Sequence, residues 1–288
     1  MNVNGKTQLI GLIGWPVSHS FSPAMHNAAA DALGLNWIYV PLPVHSQDLQ
    51  TAVLGMSALG FRGINVTVPH KQTVMPLLDS IEESAKIIGA VNTIVVSRKS
   101  PGQEDNWHLA GHNTDWLGFL ADLESLQVEI NQRDCLVLGA GGSARAIVYS
   151  LAQAGANVHV LARRIDQARQ LAIDFESVAP VQADSLAALS SLITRLKAPL
   201  IINTTPLGMD PTVENTVWPD SQPFPEGTFV YDLVYNPLET RLMQQAQAAG
   251  CRTANGLGML LHQGAIAFEL WTGRKPSIHV MKKGLESA

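Results

Sequence analysis

Between positions 65 and 71 the chain reads Asn-Val-Thr-Val-Pro-His-Lys. Apolar Ile64, Val66 and Val68 alternate with polar Asn65 and Thr67, a period of two that predicts a strand with Asn65 and Thr67 on one face. Pro69 has no N–H to give a ladder and closes that strand. Lys71 follows at once, where a chain leaving a sheet edge can turn a side chain into a crevice. An amide, a hydroxyl and an amine within seven residues can hold an alcohol and move its proton. Taken by itself, the same stretch is also an ordinary strand end with a solvated lysine. Further groups could complete the chemistry. Ser20 and Ser22, in His-Ser-Phe-Ser-Pro, stand where a helix opens, with Ser22 as the expected cap and Pro23 as its first residue. Hydroxyls at a helix N-terminus suit a carboxylate, although both serines could serve only to cap and turn. Asn92 is an amide in an apolar run and needs partners if buried. Asp115 opens a helix after Asn113-Thr114, as a cap or as a catalytic acid.

These side chains need a frame. Gln8–Gly14, Asn36–Pro43, the focal segment, Val91–Val96 and Trp107–Ala110 read as strands. Helices are expected over Pro23–Leu33, Ser46–Leu59, Ser80–Ile88 and Asp115–Leu126, and a charged surface hairpin over 98–106. The pattern then changes. Cys135–Leu138 is a continuous apolar strand, and Gly139, Ala140, Gly141, Gly142, Ser143 and Ala144 form G-x-G-x-x-A directly before a helix over Ala144–Ala154. Such a loop lets backbone N–H groups approach a pyrophosphate at a helix N-terminus. After the next strand, Asn157–Leu161, stand Ala162, Arg163 and Arg164, where an NAD site would want Asp or Glu for the ribose hydroxyls. Two guanidiniums suit a 2′-phosphate, so NADP(H) is the expected cofactor. Helices over Asp166–Phe175 and Ser185–Leu196 and a strand over Leu200–Asn203 continue the alternation. Thr204 leaves that strand at its carboxyl end, the usual ligand edge of an open α/β sheet. A strand over Thr228–Asp232 leads to Leu233 and Tyr235, and a helix over Leu238–Ala249 follows. Asn-Gly-Leu-Gly-Met at 255–259, with Gly256 and Met259, turns into a long helix over Leu260–Trp271 with Gln263 on its first turn. A short helix closes the chain over Ser277–Glu286.

The expected fold class is therefore α/β, with a substrate domain over 1–114 and a Rossmann-like cofactor domain over 115–255. Helices over 256–288 are expected to return to the first domain. Length 288 suits two cores. A net charge of −5 with 15% charged residues speaks against nucleic acid or an anionic membrane as partner. No apolar run reaches membrane-spanning length, no leader pattern opens the chain, and Cys135 and Cys251 make neither a metal spacing nor a disulfide framework. A cytoplasmic protein with reduced thiols and no metal, acting on a small molecule as monomer or homodimer, is expected.

Six segments in one order carry a specific resemblance. They are the Ser-x-Ser-Pro at 20–23, Asn-Val-Thr-Val-Pro-His-Lys at 65–71, Gly-Ala-Val-Asn-Thr at 89–93, Asn-Thr-Asp at 113–115, Gly-Ala-Gly-Gly-Ser-Ala at 139–144, and Asn-Gly-Leu-Gly-Met at 255–259 with Gln263. Through them, over nearly its full length, the chain resembles the shikimate dehydrogenases. That resemblance implies reversible NADPH-dependent reduction of 3-dehydroshikimate to shikimate, on the route to aromatic amino acids. It further implies Lys71 and Asp115 as the catalytic pair, and Ser20 and Ser22 on the substrate carboxylate. Asn65, Thr67, Asn92, Tyr235 and Gln263 would hold hydroxyls or line the pocket, and Leu233, Gly256 and Met259 would lie near the nicotinamide. The sequence departs from the family at Ala162-Arg163-Arg164, where Asn-Arg-Thr is frequent, and at Gln167, where a basic residue is usual. An aspartate beside Lys71 favours the ammonium, so the pair suits proton donation in reduction. A quinate or dual quinate/shikimate dehydrogenase using NAD(P), and a non-catalytic ligand-sensing paralogue, remain as alternatives. Turnover of shikimate or quinate with each cofactor separates the three.

Overall fold

The computed structural model describes residues 3–98 and 107–287. The surface hairpin expected over 98–106 falls outside the described residues except for Arg98. The chain divides into two compact units, one of residues 1–118 with 260–288 and one of residues 119–259.

The first unit is built on β1 (Gln8–Gly14), α1 (Ser22–Ala32), β2 (Trp37–Pro43), α2 (Leu49–Ala58), β3 (Phe61–Val66), β4 (Ser80–Ile81), α3 (Glu83–Ile88), β5 (Thr93–Arg98) and β6 (Trp107–His112). Its sheet has the order β2-β1-β3-β5-β6-β4. β1 pairs in parallel with β2 and β3, whereas β5 runs antiparallel to both β3 and β6. That reversal brings the end of β3 and the start of β5 to one edge of the sheet. Both faces are covered, which is why the strands read as apolar runs. Ile13, Ile64 and Val66 pack with Leu49, Val53 and Met56 of α2, while Ile10, Leu12 and Tyr39 pack with Ala267 and Trp271. His26 of α1 is fully buried and stacks on Tyr39 with ring centroids 4.4 Å apart. Neither of its ring nitrogens has a hydrogen-bond partner, and desolvation lowers its pKa to about 3.

The remaining elements are α4 (Asp115–Ser125), β7 (Asp134–Leu138), α5 (Gly142–Gln153), β8 (Asn157–Ala162), α6 (Ile165–Asp174), β9 (Val181–Ser185), α7 (Leu189–Ile193), β10 (Leu200–Asn203), β11 (Phe229–Asp232), α8 (Arg241–Ala248), β12 (Arg252–Asn255), α9 (Leu257–Thr272) and α10 (Ile278–Glu286). The second sheet is wholly parallel, in the order β12-β11-β10-β7-β8-β9. Counted from β7, this is the doubly wound order 3-2-1-4-5-6, with its switch point between β7 and β10. Leu136, Leu138, Ile201 and Val230 form a core with Leu189 and Ile193 of α7 and Leu242 of α8. Cys135 is buried, and desolvation pushes its thiol up to about 12. α10 returns to the first unit and packs on α1.

Several local expectations change. β3 stops at Val66, so Thr67 lies beyond the strand and Val68 is 62% exposed. The expected helix over Ser80–Ile88 is a two-residue strand followed by α3, because Glu82 caps the helix, accepting from the Ala85 amide at 3.4 Å. Ser22 is not a cap. The helix already includes it, and the Ser22 amide donates to Ser20 Oγ at 3.2 Å. The helix expected over Ser185–Leu196 shrinks to α7, and its first residue ends the unforeseen β9. α8 starts three residues after Leu238, where Thr240 caps it. β12 was also unforeseen, and α9 starts at Leu257, so Gln263 falls on its second turn.

Candidate active site

Lys71 sits in the turn after β3, and Asp115 is the first residue of α4. Lys71 Nζ lies 2.7 Å from Asp115 Oδ2, with the side chains only 12% and 7% exposed. An ion pair this short and this dry is a charge-assisted bond. The lysine backbone is anchored too, since its carbonyl accepts from the Val91 amide at 2.7 Å. The preceding His70 is fully buried, with Nε2 2.7 Å from the Val44 carbonyl.

The other carboxylate oxygen is held by Asn92. Asn92 Nδ2 donates to Asp115 Oδ1 at 2.8 Å and to Thr114 Oγ1 at 3.0 Å, and it lies 3.4 Å from Gln263 Oε1. Asn92 Oδ1 accepts from the Thr114 amide at 2.7 Å and from Thr93 Oγ1 at 3.0 Å. Asn113 Oδ1 accepts from the Asp115 amide at 3.1 Å, which fixes the helix start. Asn65 extends the network: its Oδ1 accepts from the Tyr39 hydroxyl at 2.8 Å, and its Nδ2 donates to the Asn92 carbonyl and to Thr93 Oγ1, both at 3.2 Å. Buried polar groups satisfied in this way hold their neighbours in fixed orientations. The arrangement can present one ammonium proton at a defined point.

Five of the residues singled out from the sequence, Lys71, Asp115, Asn92, Asn65 and Gln263, thus belong to one connected cluster. Ser20 and Ser22 are bonded to each other at the start of α1, and Thr67 is half-buried against Gly14. Among the described residues no hydrogen bond joins these three to the cluster. Sequence reasoning missed Tyr39, Thr93 and Thr114, whose hydroxyls tie the amides together. Thr114 had a signal, since it stands between two residues of the Asn-Thr-Asp triplet. The described residues contain no His/Cys/Asp/Glu group able to hold a metal ion, and no helix is long and apolar enough to cross a membrane.

In the second unit the glycine loop lies at the end of β7, beside the switch point. Gly139 has φ +118°, and a Cβ there would strike Thr204 Oγ1, so the turn requires glycine. Thr204 in turn donates from Oγ1 to the Leu138 carbonyl at 2.8 Å. Ala140 and Gly141 lead into α5, around whose first turn Gly142, Ser143 and Ala144 are arranged, with open space beside Gly141. Ala162 ends β8 and is buried, whereas Arg163 and Arg164 are exposed and have no carboxylate partner among the described residues. Leu233 and Gly256 meet, since the Gly256 amide donates to the Val234 carbonyl at 3.3 Å and Gly256 packs directly on the Leu233 backbone, while the Met259 backbone bonds the Tyr231 hydroxyl. Tyr235 follows in the same loop, its hydroxyl pKa raised by burial. This loop is braced by Asp232, whose carboxylate accepts from Thr240 Oγ1 at 2.6 Å, Asn203 Nδ2 at 2.9 Å and the Val234 amide at 3.0 Å. Burial still raises the Asp232 pKa to about 6.

Comparison with known proteins bears on this geometry. The profile of the shikimate dehydrogenase substrate binding domain matches residues 12–94, that of shikimate / quinate 5-dehydrogenase matches 122–208, and that of the shikimate 5′-dehydrogenase C-terminal domain matches 256–286. The shikimate dehydrogenase (NADP(+)) of Carboxydothermus hydrogenoformans is 44% identical over 285 residues, covering 99% of each chain. The crystal structure of shikimate 5-dehydrogenase from Thermus thermophilus in complex with NADP(H) and shikimate superposes with a TM-score of 0.84 at 35% identity, covering 97% of this chain and 99% of the other. Quinate dehydrogenase from Corynebacterium glutamicum in complex with NAD gives a TM-score of 0.86 at 33% identity, covering 98% and 99%. With identity and fold shared from end to end, the chain belongs to the shikimate dehydrogenase family.

Proposed function

We propose that the protein reduces 3-dehydroshikimate to shikimate, reversibly and with NADPH, using Lys71 as the proton donor. The observation that carries this reading is the 2.7 Å bond between Lys71 Nζ and Asp115 Oδ2 in a nearly closed setting. As a ketone is reduced, its oxygen gains negative charge and needs a proton. The Lys71 ammonium supplies that proton from Nζ. In the reverse direction, Lys71 takes the proton of the alcohol. Asp115 keeps Nζ aimed, and Asn92 keeps Asp115 from turning away. Asn65, Thr67, Asn92, Tyr235 and Gln263 line the ring, and Ser20 and Ser22 receive the carboxylate, so that one carbon is presented for reaction. In this reading the unit of residues 1–118 with 260–288 holds the substrate, and the unit of residues 119–259 holds the cofactor.

The residues present fit NADP. The loop Gly139–Ala144 opens onto a helix N-terminus at the switch point, where a pyrophosphate is stabilised. Arg163 and Arg164 are exposed and have no carboxylate partner among the described residues, which suits a 2′-phosphate. Thr204, Leu233, Gly256 and Met259 line the nicotinamide end. When bound, the cofactor supplies the hydride.

One assay tests this reading. The purified protein is mixed with shikimate or quinate and with NADP or NAD, and absorbance of the reduced cofactor is followed. Turnover confined to shikimate with NADP is expected. Faster turnover of quinate would transfer the reading to the quinate branch of the family, and no turnover in any combination would remove it.

A further inference from the structure

Asp122 is a buried carboxylate that the chemistry above does not use. It is 5% exposed and forms no ion pair among the described residues. Its Oδ2 accepts from the Tyr231 hydroxyl at 2.5 Å, and its Oδ1 accepts from Ser125 Oγ at 3.3 Å. Leaving a carboxylate in so dry a place is costly unless something compensates. The compensation lies in what it touches. The carboxylate presses on the first turn of α9, so closely that any side chain at Gly258 would collide with both of its oxygens. The Met259 backbone faces the Tyr231 oxygen from the same turn. The first turn of this sixteen-residue helix is the positive end of its dipole, which a carboxylate stabilises, while its Leu257 amide is already taken by Asn255 Oδ1 at 3.1 Å.

The residue just before the turn is gripped as well. The Gly256 amide donates to the Val234 carbonyl at 3.3 Å, and Gly256 packs on the Leu233 backbone. Residues 256–259 are therefore clamped between the loop after β11 and the Asp122–Tyr231 pair. We propose that Asp122 and Tyr231 are positioning residues that fix this turn and, through it, the orientation of the nicotinamide, while leaving the grip on the cofactor phosphates untouched. This inference rests on the dehydrogenase reading, which puts Gly256 and Met259 at the nicotinamide.

The test uses full-length protein carrying Asp122→Asn or, as the milder change, Tyr231→Phe. Three quantities are read: kcat, the primary deuterium isotope effect on kcat with deuterated NADPH, and the affinity for 2′-phospho-ADP-ribose, which carries the phosphates without the nicotinamide. Expected are a fall in kcat of about tenfold or more and a rise in the isotope effect, with affinity for the fragment within twofold of the unaltered protein. The fragment titration also counts folded sites, so a loss of folded protein is not mistaken for a loss of rate. Unchanged kcat in either variant would overturn the proposal. So would a fall in kcat with an unaltered isotope effect and a matching loss of fragment affinity. Absence of turnover in the unaltered protein would instead overturn the dehydrogenase reading, and this inference with it.

Discussion

Around Asp115 the side chains hold one another. Both carboxylate oxygens, both ends of the Asn92 amide and both ends of the Asn65 amide have protein partners within 3.2 Å. Around Gly139 the backbone and one threonine set the shape, and the nearby guanidiniums of Arg163 and Arg164 stand exposed. The first region has its polar groups satisfied within the protein; the second leaves two guanidiniums exposed. The two regions thus place their constraints differently. A proton donor must be aimed, which needs a saturated network. A long anionic cofactor can instead be gripped at several points, each contributing modestly. The titrating groups differ as well. In the first unit His26 is buried neutral, and in the second Asp232 is buried with a raised pKa.

The comparison breaks most easily at Lys71. Lys71→Ala should lower kcat by roughly 10²–10⁴ with a smaller change in KM, as for a lost acid–base group. Steady-state rates on folded protein check this, and an unchanged kcat would end the assignment. The buried titrating groups come next, and their signs oppose. His26 has its folded pKa lowered from 6.5 to about 3, so its contribution is present above pH 6.5 and is lost as pH falls toward 3. Asp232 has its folded pKa raised from 3.8 to about 6, so its contribution is present below pH 3.8 and is lost as pH rises through 6. Because the two contributions oppose, denaturant titrations from pH 4 to 6.5 should show the pH slope of stability tilted in opposite senses by His26→Leu and Asp232→Asn, each by about 3 kcal/mol across the window. Parallel slopes in the two variants would contradict this difference between the units.

Smaller effects sharpen the contrast. Arg163→Ala with Arg164→Ala should raise KM for NADPH by roughly 10–100-fold, the worth of a lost charged hydrogen bond, while leaving KM for NADH nearly unchanged. Equal losses with both cofactors would remove the 2′-phosphate assignment. At the saturated site, Thr114→Val deletes one hydroxyl from a shared network. It should cost about 1 kcal/mol of stability, read by urea denaturation, with a small fall in kcat. No change in either would show that the Asn92 amide is held adequately without it.

Much of this was legible in the residues because chemistry and backbone demands coincide in short stretches. The glycine loop between an apolar strand and a helix can be read directly, and so can an amide or a charge placed where a strand ends. Lys71, Asp115, Asn92, Asn65 and Gln263 could be named in this way, and the structure draws them together. Of their joining groups, only Thr114 carried a signal, inside the Asn-Thr-Asp triplet. Tyr39 and Thr93 sit in strands, where a hydroxyl residue looks the same whether it bonds a buried amide or faces water. β9, Val-Gln-Ala-Asp-Ser, and β12, Arg-Thr-Ala-Asn, are edge strands with too few apolar positions to show a period. Ser80–Ile81 is a strand only because β6 lies beside it, a tertiary fact that no local pattern carries.

The antiparallel course of β5 has a practical side. It enters the sheet next to Asn92 and leaves at Arg98, and β6 returns from Trp107 to His112. Arg98 and Trp107 are therefore paired at the end of the sheet opposite the Lys71 cluster. That junction is a natural port for engineering. A short peptide tag or a fluorescent reporter inserted there should leave turnover within a few-fold of the unaltered protein, and so give a handle for tethering the enzyme without touching its chemistry.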